Sequence, residues 1–395
     1  MRPGITVQHT ALPTRRAGLV RCDITGLIAF LMPQRWPEGA TPGDLLEIEL
    51  VRALDFWAHP DRGRFSVATS QALSTFFENG GERLHLFGVC VESAGDLTVE
   101  ATLAGVLAPL MQRLRVEEDI AILISPDIAF LPCATDHLGR TTSQTEVAWD
   151  TLLAHCAEMG NRFFVMDAPR GAHGAELVSL AAGFSERNPS TRSYGALYYP
   201  WLRRSESLFP PSGAIAGIYA RMERERGDYG VAWPPANIAL RGATDLEVNP
   251  DWREAGDLSD ARINPLIIQA GRGVVVWGAR TLSADPNFRA INSRRVVSMV
   301  TEQLRRDNEW AVFEQNDAKV WAVLERNARV RLEEFWRAGL ITSEAPRGDY
   351  LVQCDHETNP PVERNAGTLN VRVQLRPIGM TEHITIDLRL GESGA

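Results

Sequence analysis

The chain has 395 residues, 44% of them apolar and 23% charged, which is enough to bury two or three domain cores. A formal net charge of −9 argues against a nucleic-acid binder, because phosphate contacts need a clustered basic footprint. No apolar run reaches the length of about 18 residues that a membrane-spanning helix needs, so direct membrane insertion is not expected.

Lys319 is the single lysine, so arginine carries the positive charge, a bias that a GC-rich genome explains. Cys22, Cys90, Cys133, Cys156 and Cys354 are scattered without CxxC spacing, and their odd number gives no disulfide framework. Together with a start that lacks the charged-then-apolar order of a signal peptide, this predicts a protein made and assembled in the cytoplasm.

In chain order, Pro3-Gly4-Ile5-Thr6-Val7-Gln8 alternates like a short strand and leads into a loop-like run. Residues 21–30 read as a strand containing Gly26, and 31–66 as loops and short strands. Residues 71–78 read as a helix closed by Asn79-Gly80-Gly81, followed by a strand over 84–91. From there strand and helix alternate to about residue 200. The apolar runs 120–124 and 162–167 have the composition of strands covered on both faces, and helices are expected near 103–114, 147–156 and 175–184. This is the signature of a βαβ layer.

A helix is expected after Pro210-Pro211-Ser212-Gly213, and 227–260 reads as loop. A second, smaller α+β lobe is expected from about Ala261, with strands over 274–278 and 310–313 and a helix over 294–306. Asp317 is placed to cap a further helix whose Trp321, Leu324, Ala328, Leu332, Phe335 and Trp336 form one stripe ending at Gly339.

After a strand over 350–354, Leu369, Val371, Val373 and Leu375 alternate with polar residues, and Ile384, Ile386, Leu388 and Leu390 do so again. The result is a mixed α/β chain divided as arm 1–20, α/β lobe 21–260, α+β lobe 261–365 and arm 366–395. A ribbon of half-buried strands needs a sheet edge for its backbone groups. Two such arms flanking a globular body predict a subunit that joins its neighbours by strand exchange. The predicted contact residues are Ile5, Thr6, Val7, Gln8, Leu369, Val371, Val373, Leu375, Ile384, Ile386 and Leu388.

Chemical motifs fail on context. The turn from Asp167 to Gly174 lies between a strand and a helix, where α/β proteins hold phosphates, but it has neither GxxxxGK[ST] nor a lysine. An α/β nucleotide-binding hydrolase built on this turn is the rival reading. Gly271-Arg272-Gly273 precedes a strand, the wrong order for a dinucleotide fingerprint. Cys354-Asp355-His356-Glu357 lacks returning ligands at metal-site spacing. Asp136, His137 and His155 have no nucleophile motif beside them. No catalytic residue, cofactor or metal is expected.

The chain resembles the tail sheath family of contractile phages, R-type pyocins and extracellular contractile injection systems. The resemblance is carried in order by Pro3-Gly4-Ile5-Thr6-Val7, Arg21-Cys22-Asp23-Ile24-Thr25-Gly26, Asp167-Ala168-Pro169-Arg170-Gly171 and Tyr198-Tyr199-Pro200-Trp201. It continues with Ile263-Asn264-Pro265, Val276-Trp277-Gly278-Ala279-Arg280-Thr281-Leu282 and Trp310-Ala311-Val312-Phe313-Glu314-Gln315-Asn316-Asp317. Residues 27–118 and 243–262 depart from the family pattern. The resemblance implies a structural homo-oligomer, stacked as hexameric rings around an inner tube protein. It also implies baseplate and tail terminator or cap proteins as further partners, and contraction that drives the tube through an envelope. A baseplate-proximal or capping variant that does not contract is the alternative within the family.

Overall fold

The computed structural model describes residues 19–92, 97, 100–131, 133–135, 141–227, 229–342, 350–380 and 383–390. Its largest unit is a nine-stranded sheet. The strands are β1 (Thr25–Leu31), β2 (Leu45–Leu50), β3 (Leu84–Cys90), β4 (Ile122–Ile124), β5 (Phe163–Asp167), β6 (Gly195–Tyr199), β7 (Ile238–Ala239), β8 (Ile263–Gln269) and β9 (Gly273–Val276). They lie in the order β7-β9-β8-β6-β5-β4-β1-β3-β2. Pairing is parallel from β8 through β3 and antiparallel only at the two edges.

Every residue of β1, β4, β5 and β6 is buried, as continuous apolar runs require when helices cover both faces. The helices are α1 (Val67–Glu78), α2 (Glu100–Val116), α3 (Gln144–Met159), α4 (Gly174–Glu186), α5 (Ser212–Glu225) and α6 (Trp252–Asp260). Leu27, Ala29 and Leu31 of β1 join a core with α1 and α5. Ile28 and Phe30 point the other way, into a core with α2, α3 and α4. Each large side chain removed from water in this way contributes about 1.5–3 kcal/mol.

The second lobe packs α7 (Ile291–Asn308) and α8 (Ala318–Arg337) against a three-stranded antiparallel sheet of β10 (Tyr350–Gln353), β11 (Leu369–Leu375) and β12 (Ile384–Leu390), in the order β10-β11-β12. Asp317 caps α8 as predicted, accepting from the N–H groups of Lys319 (2.9 Å) and Val320 (3.0 Å). Trp321, Leu324, Ala328, Leu332 and Phe335 are buried.

Three local expectations differ. Residues 310–313 are not a strand but lie in the 3-10 turn Glu309–Phe313 that joins α7 to α8. Among the described residues they pair with no strand, and the Glu314 N–H closes onto the Ala311 carbonyl instead (3.1 Å). The stretch 227–260 holds α6, started by a capping box between Asp251 and Glu254. Strands β8 and β9, beyond the expected boundary at 261, belong to the large sheet. The apolar cores change within α7, where Ile291 packs in the first lobe and Val296 in the second.

The lobes are joined by apolar contacts of Cys22, Ala121 and Val231 with the second lobe's core and by charged groups beside them. Arg295 donates to the Cys22 carbonyl (2.7 Å) and lies 4.7 Å from the Tyr219 ring. Glu302 holds Arg305 (2.9 Å) and Arg306 (2.6 Å), which reach Glu118 (3.0 Å) and Asp119 (3.2 Å) across the junction.

Candidate assembly interface

Strands β11 and β12 run in the register Leu369↔Leu390, Val371↔Leu388, Val373↔Ile386 and Leu375↔Ile384. The period of two puts these apolar residues on one face. There Leu369, Val371, Val373, Leu375, Ile386 and Leu388 are buried against α7 and α8, and Ile384 packs at the margin. The opposite face is polar, with Arg372 paired to Asp387 across the strands (2.8 Å). The predicted ribbon residues are therefore brought together, in a sheet made by one chain. Ile5, Thr6, Val7 and Gln8 lie outside the described residues.

The end of β11 carries a feature that the sequence reading missed. Asn359 is fully buried; its Oδ1 accepts from the Asn370 N–H (2.7 Å) and its Nδ2 donates to the Asn370 carbonyl (2.9 Å). A side-chain amide thus stands in for a strand residue, continuing the edge where β10 stops. Only the pairing across eleven positions reveals it, since a lone Asn before Pro360 reads as a turn residue. On its other side β12 has no partner strand among the described residues.

The other singled-out groups serve the fold. Asp167 is buried at the end of β5, where Oδ1 accepts from the Ser212 N–H (2.7 Å) and ties the strand to the start of α5. Burial pushes its carboxyl up to about 7. The sheet reverses order between β1 and β4, the crevice at which doubly wound folds hold ligands. Here it is filled by Asp127, which accepts from the Phe30 N–H (2.9 Å) and the Ser66 hydroxyl (2.6 Å).

His155 is buried with Nε2 2.5 Å from the Arg162 guanidinium. Burial, then that charge, holds its pKa down at about 4. Asp136 and His137 lie outside the described residues. In the run 354–357, burial pushes the Cys354 thiol up to about 12, Asp355 caps a turn through the Glu357 N–H (2.8 Å), and His356 meets the edge of Trp321. Among the described residues no three His, Cys, Asp or Glu side chains converge as metal ligands would.

Comparison with known proteins gives one answer. Residues 131–282 match the phage tail sheath protein central domain, and residues 283–391 the phage tail sheath C-terminal domain. The tail sheath protein of Escherichia phage P2 is 24% identical over 222 residues, 55% of this chain and 53% of that protein. That of Enterobacteria phage T4 is 25% identical over 193 residues, 47% of this chain and 28% of that protein. The chain thus spans about half or less of these relatives' length.

Among solved structures, a chain of the contracted anti-feeding prophage baseplate superposes with a TM-score of 0.71 at 21% identity, covering 98% of both chains. A chain of the contracted PVC sheath complex, an extracellular contractile injection system, superposes at 0.69 and 21% identity, covering 96% and 94%. These likenesses establish the mixed α/β fold, and the two matched domains, which adjoin at 282 and 283, establish the lineage. The chain belongs to the phage tail sheath family.

Proposed function

We propose that this chain is the structural subunit of a contractile sheath, polymerising as stacked hexameric rings around an inner tube and contracting to drive that tube through a target envelope. The observation that carries this reading is the second lobe: a sheet with one face closed by its own helices and a β12 edge that has no partner strand among the described residues, in a chain of the sheath family. Residues 1–20 and 366–395 act as the arms. Ile5, Thr6, Val7 and Gln8 add strands to a neighbour's sheet that contains Leu369, Val371, Val373, Leu375, Ile384, Ile386 and Leu388. The pairing of β11 with β12 inside one chain agrees with this, because exchange of an element between copies preserves every pair of the register.

Head-to-tail contacts whose rotation does not close generate an open helix, and strand donation supplies backbone hydrogen bonds that survive rotation of the lobes. The extended polymer is held by a barrier above a contracted packing of lower free energy. Shortening then needs no nucleotide, cofactor or catalytic residue. Inner tube, baseplate and terminator proteins are the partners, and assembly occurs in the cytoplasm before the particle is released.

Negative-stain microscopy of the purified chain tests the proposal. Long striated hollow cylinders are expected from the intact chain, and monomers from a chain lacking residues 1–18. Short rings from the intact chain would instead identify a capping or baseplate-proximal subunit, and uniform monomers would refute the polymer.

A further inference from the structure

The crevice where the large sheet reverses order is filled by Asp127, yet a cavity of about 730 Å³ opens at the carboxyl end of β6, between α4 and α6. Ligands of doubly wound sheets collect outside such strand ends, and the volume is that of a small-molecule site. Val178, Val248, Pro250 and Leu258 give it apolar walls, and Tyr199 and His173 also line it. Glu247 lies 3.8 Å from the His173 Nε2, which keeps the ring proton on that side, so Nδ1 accepts from the hydroxyl of the buried Tyr199 (3.1 Å). The phenol oxygen thereby keeps its lone pairs for a donor in the cavity. Glu254 and Asp257 line the cavity as well, and no arginine or lysine is among the described lining residues. With Glu247 they make three carboxylates, which outweigh the half positive charge that the start of α4 brings to the same wall, and still outweigh it with His173 charged. Their field reaches the phenol: burial first, then Glu247 and Glu254, push Tyr199 up to about 12.

We propose that this cavity binds a small amphipathic amine, with its apolar body against Val178, Val248 and Leu258 and its ammonium group facing Glu254, Asp257 and the Tyr199 oxygen. The site lies in the large lobe and uses no arm residue, so it stands or falls independently of strand donation. A metal ion does not suit the place, because among the described residues no three His, Cys, Asp or Glu side chains converge as ligands and the remaining walls are apolar. An anion does not suit it either, because the carboxylates repel one. An ammonium on an apolar body satisfies both halves of the lining, since the body covers the walls and the three N–H groups reach acceptors.

The test is titration calorimetry of the full-length chain with three probes that share one ring system: naphthylethylamine, naphthylethanol and naphthylacetate. The amine is expected to saturate a single site about tenfold or more tighter than the carboxylate, with the alcohol between them. A net charge of −9 draws amines loosely over the whole surface, so two exposed lining positions serve to place the bound one. Ser179→Trp obstructs the cavity and should abolish saturable binding of amine and alcohol alike. Asp257→Lys should weaken the amine about tenfold and leave the alcohol unchanged. Both residues are exposed, so both variants are expected to melt with the wild type. Carboxylate binding as tight as that of the amine, or amine binding by Asp257→Lys at wild-type strength, overturns the choice of ligand and with it the proposal. Saturable amine binding that survives Ser179→Trp, or none in the wild type, overturns the site.

Discussion

The two sheets of this chain solve the same problem differently. In the large sheet, parallel strands carry apolar residues on both faces and helices close both, so the only edges are antiparallel pairs at the margins. In the small sheet, β11 and β12 alternate strictly, one face is closed by α7 and α8, and the other shows Arg372, Asp387 and Arg389 to solvent. Both faces of the first are covered within the chain, although β2 and β7 remain edge strands among the described residues. Among the described residues the second leaves the outer side of β12 without a partner strand, and on the proposed function the large lobe is then the carrier and the small one the connector.

If that contrast is right, damage to the large lobe should unfold the subunit, whereas damage at the margin of the small one should spare folding and stop assembly. The largest effect is expected where α1 and α5 touch backbone to backbone. A Cβ on Gly217 would lie 2.3 Å from the Phe76 carbonyl oxygen, and one on Gly213 2.3 Å from that of Ala72. Gly217→Val is therefore expected to cost about 3 kcal/mol in urea unfolding. A loss below about 1 kcal/mol would mean that the helices can separate and that the carrier is not rigid.

Next is Asn359→Ala, which leaves the buried N–H and carbonyl of Asn370 without the amide that pairs with them. A loss of about 2 kcal/mol is expected, with faster hydrogen exchange confined to the start of β11. Exchange that spreads through the large sheet would show that the lobes unfold as one unit.

A pH profile sharpens the comparison from inside the large lobe. The Asp167 carboxyl, pushed up to about 7 from 3.8, binds its proton more tightly folded than unfolded, so its contribution is present below pH 3.8 and is lost as pH rises through 7. His155, held down at about 4 from 6.5, does the reverse: its contribution is present above 6.5 and is lost as pH falls through 4. Between pH 4 and 6.5 the two slopes, each about 1.4 kcal/mol per pH unit at most, oppose one another. Asp167→Asn keeps the acceptor for the Ser212 N–H and removes one slope. Its stability should rise with pH across that window while the wild type stays nearly flat. Parallel profiles would show that the Asp167 carboxyl is not protonated in the fold.

What the sequence disclosed follows the same division. The buried runs 120–124 and 162–167 and the alternation in 369–375 were legible because period and burial are local properties of a strand. The order of the large sheet was not, since β8 and β9 return from beyond residue 260 to pair beside β6, and nothing within them names that neighbour. Residues 310–313 misread as a strand because composition cannot tell an apolar run that is buried from one that is presented, and Phe313 is presented. Asn359 was not legible either, because its amide pairs with Asn370 across eleven positions and only the folded strand brings the two together.

The smallest expected effect on stability is the one that tests the open face of the small sheet. Arg372 and Asp387 pair across β11 and β12, but both are about half exposed, and such pairs are screened and entropically costly to hold. Arg372→Ala should leave the melting temperature of the monomer unchanged. If sheath cylinders still form with normal length, the polar face is plain solvent surface and the edge of β12 carries the contact. If polymerisation fails in a chain that melts normally, then a neighbouring subunit lies over that face as well, and the division between a closed face and an open edge is too simple.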